Sequence, residues 1–276
     1  MEYRTMRVSH VRQLTPHMLR VGFAGDDLRS IPSGAPDQYV KLFFPRAGQP
    51  RPELPPPPDG ETLSWYRTYL AMPDHVRPPM RTYTVRALRP ASGELDVDFV
   101  VHADGGPGST WATRARPGDE VALLGPHGLY AVPDGTDWQL LVGDETALPA
   151  IAAILEHLDA GTHVRVIVEV AGPADEQPLP TAGSAHVTWV HRNTDAPGRR
   201  LLAAVRNATL PGGTPYAWVS GEAGMVKLVR RHLVRERGID KRRITFTGYW
   251  RRGVSEEDTG RESVRRGDTG QLPTAD

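Results

Sequence analysis

The second half of the chain alternates between apolar strand-like segments and segments of helical periodicity, and this alternation constrains the fold most. "WQLLVG" (residues 138–143) is strand-like, and "ALPAIAAILEHL" then places Leu148, Ile151 and Leu155 at helical spacing. We therefore predict a parallel-sheet α/β domain with right-handed crossovers. The later segments that continue the pattern are "HVRVIVEVA", "HVTWVHR", "LLAAVRNA", "YAWVSG", "EAGMVKLVRRHLVRERG" and "ITFTGYW".

The first half has a different pattern, with short strand-like segments separated by turn residues. "GELDVDFVVH" alternates apolar residues with Asp96 and Asp98, which predicts a half-buried strand. Several such segments predict a small antiparallel β-barrel. The proline-rich "RAGQPRPELPPPPDGE" is interpreted as an extended surface loop rather than a domain linker, with strand-like sequence resuming after it. We predict a barrel domain over 1–132, an α/β domain over 133–253 and a disordered tail over 254–276.

Composition excludes several kinds of site. The 276 residues contain no cysteine, so disulfides, cysteine nucleophiles, cysteine-ligated zinc and iron–sulfur clusters are excluded. Lysine plus arginine and aspartate plus glutamate both number 33, which argues against a nucleic-acid binder. The sequence shows no signal segment and no apolar run long enough to cross a bilayer. We expect a soluble cytoplasmic protein whose redox chemistry, if any, depends on a bound cofactor.

The segment "MRTYTVRAL" suggests a ligand site on a strand. Arg81 can pair with a phosphate, the Tyr83 ring can stack on a flat ligand, and Thr84 adds a hydroxyl. An arginine for a diphosphate, an aromatic ring and a hydroxyl near a reactive nitrogen together make a flavin site. The alternative is an exposed barrel strand with ordinary cross-strand pairs.

"HADGGPGSTWA" follows and suggests a phosphate-binding turn. Its glycines permit close approach, and Ser109 and Thr110 open a helix whose free N–H groups can bind phosphate. The alternative is a glycine-rich turn with a Ser/Thr cap and a buried Trp111. Its distance from "RTYTVR" favours the phosphate site.

Acidic residues follow two predicted strands of the second half. Asp144 and Glu145 begin the helix after "LLVG", and Glu222 begins the helix after "WVSG". The G-x-G-x-x-G fingerprint is absent, and this acidic pair suits a nicotinamide carboxamide, a ribose or a flavin edge better than a phosphate. In "GYWRRG", Trp250 is either a flavin cover or a core plug, and the two arginines could attract an anion.

Taken in order, "RTYTVR", "DFVVHADGGPGSTWATRARPGDEVALLGPHG", "GDETALPAI", "SGEAGMVKLVRRHL" and "GYWRRG" resemble the siderophore-interacting proteins. These are FAD-containing, NAD(P)H-dependent ferric-siderophore reductases of the ferredoxin-reductase-like superfamily. The resemblance covers residues 5–253 and implies the same two-domain fold. It implies catalytic roles at the reacting rings for Thr84 and Glu145. It implies further cofactor-binding roles for Arg81, Thr82, Tyr83, His102, Gly106, Ser109, Thr110, Trp111, Asp144, Thr146, Glu222, Ala223 and Tyr249.

The resemblance also implies a site for the anionic substrate. Lys41, Arg251 and Arg252 would hold a ferric siderophore, and no residue of the chain would ligate a metal. Arg192 could receive the 2′-phosphate of NADPH or be a solvated loop charge. Two positions depart from the family pattern: Ala103 stands where glycine is usual, and His127 where some members have arginine.

The expected activity is transfer of a hydride from NADPH or NADH to FAD, followed by reduction of Fe(III) in the siderophore. One alternative is a flavin-dependent electron-transfer or tailoring reductase with another acceptor. A second is a protein of the same fold that binds a small molecule without redox turnover. The residues do not indicate an oligomeric state.

Overall fold

The computed structural model of the chain describes residues 2–57, 62–102 and 105–266. Within them the chain forms two compact units. The first contains the residues up to Gly34, Gln38–His127 and the chain from Gly253, and the second contains Ala35–Asp37 and Gly128–Arg252. Ala103, part of the proline-rich segment and the end of the predicted tail lie outside the described residues.

The first unit contains an antiparallel sheet of seven strands, which confirms the predicted β-barrel type although the sheet is not closed. The strand order is β4-β3-β7-β1-β2-β6-β5, so β4 and β5 are its edges. The strands are β1 (Tyr3–Thr15), β2 (Met18–Ala24), β3 (Tyr39–Phe43), β4 (Met80–Thr84), β5 (Ala87–Arg89), β6 (Glu94–Val100) and β7 (Glu120–His127).

Strand β6 is covered on both faces, so the prediction of a half-buried strand was wrong. Its apolar residues enter the barrel core, and Asp96 and Asp98 are buried as well. Arg20 makes two hydrogen bonds to Asp98, at 2.6 and 2.8 Å, and Arg89 makes two to Asp96, both at 3.0 Å. Two paired guanidinium groups therefore compensate the burial of these carboxylates.

Helix α1 (Thr62–Ala71) follows the proline-rich segment, where strand-like sequence was predicted. Trp65, Tyr66 and Tyr69 lie on one face of this helix and are buried in a second apolar cluster with Phe43 of β3. Their spacing fits a helix, and the aromatic propensity for strands obscured it. Helix α2 (Pro107–Ala112) forms where the "GPGSTWA" segment predicted a helix.

Helix α6 (Glu256–Arg266) occupies the first part of the predicted disordered tail, so that prediction was wrong for these residues. Ser255 caps the helix in the sequence pattern of a capping box: the Asp258 N–H donates to Ser255 Oγ (3.1 Å), and that hydroxyl donates to the Asp258 carboxylate (2.8 Å). Acidic residues fill its first turn and arginines its last, as the helix dipole favours.

The second unit contains a five-stranded parallel sheet of order β10-β9-β8-β11-β12, as predicted. Helix α3 packs on one face, and helices α4 and α5 pack on the other. Strands β8, β9 and β11 are buried on both faces and therefore have the near-continuous apolar sequences from which they were predicted, whereas the edge strand β10 is partly exposed. The elements are β8 (Trp138–Gly143), α3 (Leu148–Glu156), β9 (His163–Val170), β10 (Ser184–His191), α4 (Arg199–Asn207), β11 (Pro215–Glu222), α5 (Ala223–Arg235) and β12 (Ile244–Trp250).

None of the helices in the described part of the chain has both the length and the apolar character that crossing a bilayer requires.

Candidate functional site

Three predicted site residues of the first unit meet at the β3–β4 edge of the sheet. We call Lys41, Arg81 and Thr82 the donor cluster. Lys41 lies opposite Thr82 in the ladder and donates to its hydroxyl (3.1 Å), although Lys41 is only 1% exposed. A buried ammonium requires a partner. That partner is Glu256 of α6, whose carboxylate lies 2.8 Å from Lys41 Nζ.

The donor cluster is paired with two carboxylates of α6. Glu256 accepts from the Thr82 N–H (3.1 Å) and from Thr82 Oγ1 (2.8 Å), and Glu257 accepts from Arg81 Nη1 (2.6 Å). Burial would raise the pKa of Glu256, but the charges of Lys41 and Arg81 hold it below its ordinary value. The donor cluster therefore binds anionic groups.

Strand alternation divides the "RTYTVR" side chains between two faces. Arg81 and Tyr83 point to one face of β4, and Thr82 and Thr84 point to the other. All four can face one ligand only if that ligand lies along the edge of the sheet. Strand β4 is such an edge, and its outward N–H at Thr82 bonds to a side chain rather than to another strand.

Tyr83 lies against α2. Its ring centroid is 4.3 Å from that of Phe99, and a Cβ atom built on Gly108 would overlap its hydroxyl. Trp111 stacks on Phe23 with ring centroids 6.2 Å apart and joins the barrel core. Trp111 is only partly buried, and the structure brings Tyr83 beside the glycine-rich turn.

The glycine-rich turn begins α2 without a side-chain cap at Gly106. The Gly105 N–H donates to the carbonyl of exposed His102 (3.0 Å). Ser109 is buried, and the Thr110 hydroxyl donates to the Gly105 carbonyl (3.1 Å). The predicted Ser/Thr cap is therefore absent at this helix start.

In the second unit, Asp144 is a buried carboxylate that joins three neighbouring strand ends. One of its oxygens accepts from the N–H and hydroxyl of Thr146, and the other accepts from the Glu222 N–H (2.8 Å) and Trp250 Nε1 (2.9 Å). Burial, and then the charge of Glu145, raise the pKa of Asp144 to about 6. Asp144 therefore orients the ends of β8, β11 and β12.

Arg192 lies between two carboxylates. Its Nη1 is 2.7 Å from Glu145 and 3.7 Å from Glu169, which is fully buried. Glu169 accepts from the N–H groups of Gly198 (2.8 Å) and Leu201 (3.2 Å) at the start of α4. The structure thus places Arg192 in an ion-pair network rather than in a solvated loop.

The remaining predicted residues lie at the ends of β11 and β12. Glu222 caps α5 by accepting from the Met225 N–H (2.8 Å), and Ala223 is the first residue of that helix. Glu222 also lines a cavity of about 560 Å³ between α4 and α5. Tyr249 packs edge-on against Trp218, with ring centroids 6.3 Å apart, whereas Arg251 and Arg252 are exposed.

Comparison with known proteins identifies the family. Residues 7–130 match the siderophore-interacting FAD-binding domain, and residues 136–253 match the siderophore-interacting protein domain. The chain belongs to the siderophore-interacting protein family. It is 33% identical over 248 residues to a ferric vibriobactin reductase, ViuB, of Vibrio cholerae, covering 89% of this chain and 88% of that protein.

Other similar proteins support the same family assignment. An NADPH-dependent ferric-chelate reductase of Escherichia coli is 31% identical over 256 residues, covering 91% of this chain and 93% of the relative. The crystal structure of a siderophore utilization protein from T. fusca has a TM-score of 0.80 at 39% identity, covering 92% and 94% of the two chains. A ferredoxin NADP+ reductase from Neisseria gonorrhoeae, at TM-score 0.63 and 16% identity, covers 91% of this chain and 100% of that one and shares its fold.

Sequence reasoning missed three residues of this siderophore-interacting protein that contact predicted site residues. Glu256 and Glu257 were assigned to the tail, yet the capping box "SEED" was a readable helix start. Glu169 was assigned only to a buried strand. No local pattern indicates its contact with α4, because those residues are about 30 positions apart.

Proposed function

We propose that the chain is an FAD-dependent oxidoreductase that takes a hydride from NADPH or NADH and reduces Fe(III) in a ferric siderophore. One nicotinamide nucleotide supplies two electrons, so two ferric ions are reduced to Fe(II) and one proton is released. FAD, when bound, supplies the conversion from two-electron to one-electron transfer. Fe(II) binds hard oxygen ligands less tightly than Fe(III), so reduction releases the metal.

The observation that carries the proposal is the donor cluster on the edge of the sheet. A guanidinium, an ammonium, a hydroxyl and an outward N–H converge on two carboxylates, which stand in for an anionic ligand. These residues lie in the part of the chain that matches the siderophore-interacting FAD-binding domain. The residues present therefore fit the diphosphate of FAD.

The first unit would hold FAD along β4 and α2. Arg81 and Thr82 would bind the diphosphate, and the turn at Gly106 would lie beside it. Tyr83 would contact the ring system, with Thr84 presenting its hydroxyl to the reacting nitrogen. The close approach of Tyr83 to Gly108, where a Cβ atom would overlap the tyrosine hydroxyl, supports this assignment because it places the ring beside the turn. His102, Ser109, Thr110 and Trp111 complete the proposed site.

The second unit would hold the nicotinamide nucleotide at the carboxyl ends of its strands. Glu145 would contact the reacting ring, and Glu222 and Ala223 would contact the nucleotide. Asp144 would position the neighbouring residues rather than contact the nucleotide, because both of its carboxylate oxygens already accept hydrogen bonds within the protein. Thr146 and Tyr249 would complete this site. Arg192 would favour NADPH by pairing with its 2′-phosphate, in competition with Glu145 and Glu169.

The substrate is an anionic, oxygen-rich ferric chelate. Exposed Arg251 and Arg252 would attract it through their charge, whereas buried Lys41 belongs to the donor cluster proposed for FAD. We place the reaction in the cytoplasm, where reduced nicotinamide nucleotides are available.

A spectroscopic titration tests the proposal. The purified chain is loaded with FAD, and NADPH or NADH is added without oxygen, followed by a ferric siderophore and a ferrous-specific chelator. We expect the flavin bands to bleach with the nucleotide and to recover as the Fe(II) complex forms. Bleaching without Fe(II) would assign another acceptor, and an inability to bind FAD would refute the proposal.

Arg81→Gln provides the site-specific test. Loss of a charge-assisted contact of about 1.5–3 kcal/mol should weaken FAD binding by roughly 10- to 150-fold and leave riboflavin, which lacks the diphosphate, unaffected. Arg7→Gln is the matched control, because Arg7 lies in the same unit with its side chain 66% exposed. Equal losses of FAD affinity in the two variants would contradict the role of Arg81.

A further inference from the structure

Helix α6 is hydrogen-bonded to the donor cluster, the same residues that are proposed to bind the FAD diphosphate. The Glu256 carboxylate accepts hydrogen bonds from the Lys41 ammonium and from the hydroxyl and N–H of Thr82. The Glu257 carboxylate accepts one from the Arg81 guanidinium. A carboxylate oxygen and a phosphate oxygen use the same donors in the same geometry. An anionic ligand that binds these groups must therefore replace the two carboxylates.

The docking of α6 extends beyond these ion pairs. A Cβ atom on Gly260 would overlap the ring of Tyr66, which is buried on α1, so the helix approaches α1 as closely as a glycine allows. The Tyr66 hydroxyl donates to the Glu256 carbonyl (3.3 Å), and Val264 packs against the aromatic cluster of α1 and β3. These apolar and steric contacts place the two carboxylates on the donor cluster.

The chain connection keeps α6 available to the donor cluster. The helix and the donor cluster belong to the same compact unit of one chain, so the two carboxylates compete as an intramolecular ligand. Surface ion pairs alone stabilise little, but here Lys41 is buried and Glu256 is only 17% exposed. The docked helix can therefore compete with a ligand in solution.

We propose that α6 is a built-in competitor for the anionic cofactor, docked on the donor cluster in the ligand-free chain and displaced when the FAD diphosphate binds. The inference rests on the proposed function, since it takes FAD as the ligand. The apparent affinity of such a site is its intrinsic affinity multiplied by the fraction of chains with the site open. A helix docked in about nine chains of ten would thus weaken FAD binding about tenfold.

The first experiment compares flavin affinities by fluorescence titration. The variant Glu256→Gln with Glu257→Gln should bind FAD at least fivefold more tightly than the parent and bind riboflavin equally well. Glu262→Gln is the control within the same helix, because it removes one carboxylate charge from a more exposed position of α6, where the side chain is 41% exposed. Unchanged or weaker FAD binding by the double variant, or an equal gain in the control, would overturn the proposal.

A second variant separates docking from charge. Gly260→Leu should displace α6 from Tyr66 while leaving both glutamates in place, and it too should strengthen FAD binding. Thermal unfolding verifies that the rest of the chain remains folded. FAD affinity at or below that of the parent, in a folded variant, would contradict displacement.

Amide hydrogen exchange measures directly whether α6 is docked. FAD should accelerate exchange in α6 of the parent chain at least fivefold, whereas riboflavin should not. Unchanged or slower exchange in the FAD-bound chain would refute the inference while leaving the proposed function intact. If FAD does not bind, the proposed function fails. Inorganic diphosphate is then the probe, and exchange in α6 that it does not accelerate would refute the competitor as well.

Discussion

Replacing Gly108 with alanine should destabilise the first unit through a single contact, the hydroxyl of Tyr83. A Cβ atom at Gly108 would overlap that hydroxyl, and the next nearest atoms, Tyr83 Cζ and Cε2, would lie at 3.1 and 3.2 Å. Removing the hydroxyl with Tyr83→Phe should therefore relieve most of the overlap. The two substitutions form a double-mutant cycle on the proposed flavin site.

The magnitude follows from two opposing terms. Overpacking of this kind costs about 1–3 kcal/mol, and exchanging glycine for alanine within a helix returns about 1 kcal/mol. Gly108→Ala should therefore lower the free energy of unfolding by about 0–2 kcal/mol with Tyr83 present. With Tyr83→Phe it should leave stability unchanged or raise it. The expected coupling energy is about 1–3 kcal/mol.

Urea denaturation followed by circular dichroism measures the four free energies of unfolding. The ring of Tyr83 keeps its contact with Phe99 in the phenylalanine variant, so the cycle isolates the hydroxyl. An equal cost of Gly108→Ala in both backgrounds, or a coupling below about 0.5 kcal/mol, would show that α2 does not approach Tyr83 as described.

Three further predictions concern the second unit. Because the folded chain raises the pKa of Asp144 from 3.8 to about 6, it binds that proton more tightly than the unfolded chain. The free energy of unfolding should therefore fall, by on the order of 3 kcal/mol, as the pH rises from 3.8 to 6, and Asp144→Asn should remove this component in denaturation curves. Trp250→Phe removes a donor to the ionised carboxylate, so carboxyl NMR should show the Asp144 pKa rising further; an unchanged pKa would contradict the hydrogen bond. Glu169→Ala leaves two N–H groups at the start of α4 without their acceptor and should cost about 2–5 kcal/mol in urea denaturation, whereas a cost below 1 kcal/mol would refute that role.

Periodicity in the sequence was sufficient to predict the second unit. Strands β8 and β11 are buried on both faces and α3 is buried over nearly its whole length, so their apolar patterns are long and unambiguous. The barrel type was predictable for a similar reason. Two elements were exceptions. Helix α1 was missed because its buried residues are aromatic, and β6 was misjudged because Arg20, 78 positions from Asp98, and Arg89, seven positions from Asp96, neutralise its aspartates.

The candidate site was likewise predictable only in part. The sequence by itself determined the chemistry available, namely an arginine–tyrosine–threonine strand, a glycine-rich turn and acidic strand ends, because these types occur within short segments. Only the tertiary structure decided which charges meet. Glu256 reaches Lys41 across 215 positions, and Trp250 reaches Asp144 across 106. Such pairings depend on how helices and strand ends pack in the folded chain. A local sequence pattern cannot predict them, because the partners are more than 100 positions apart.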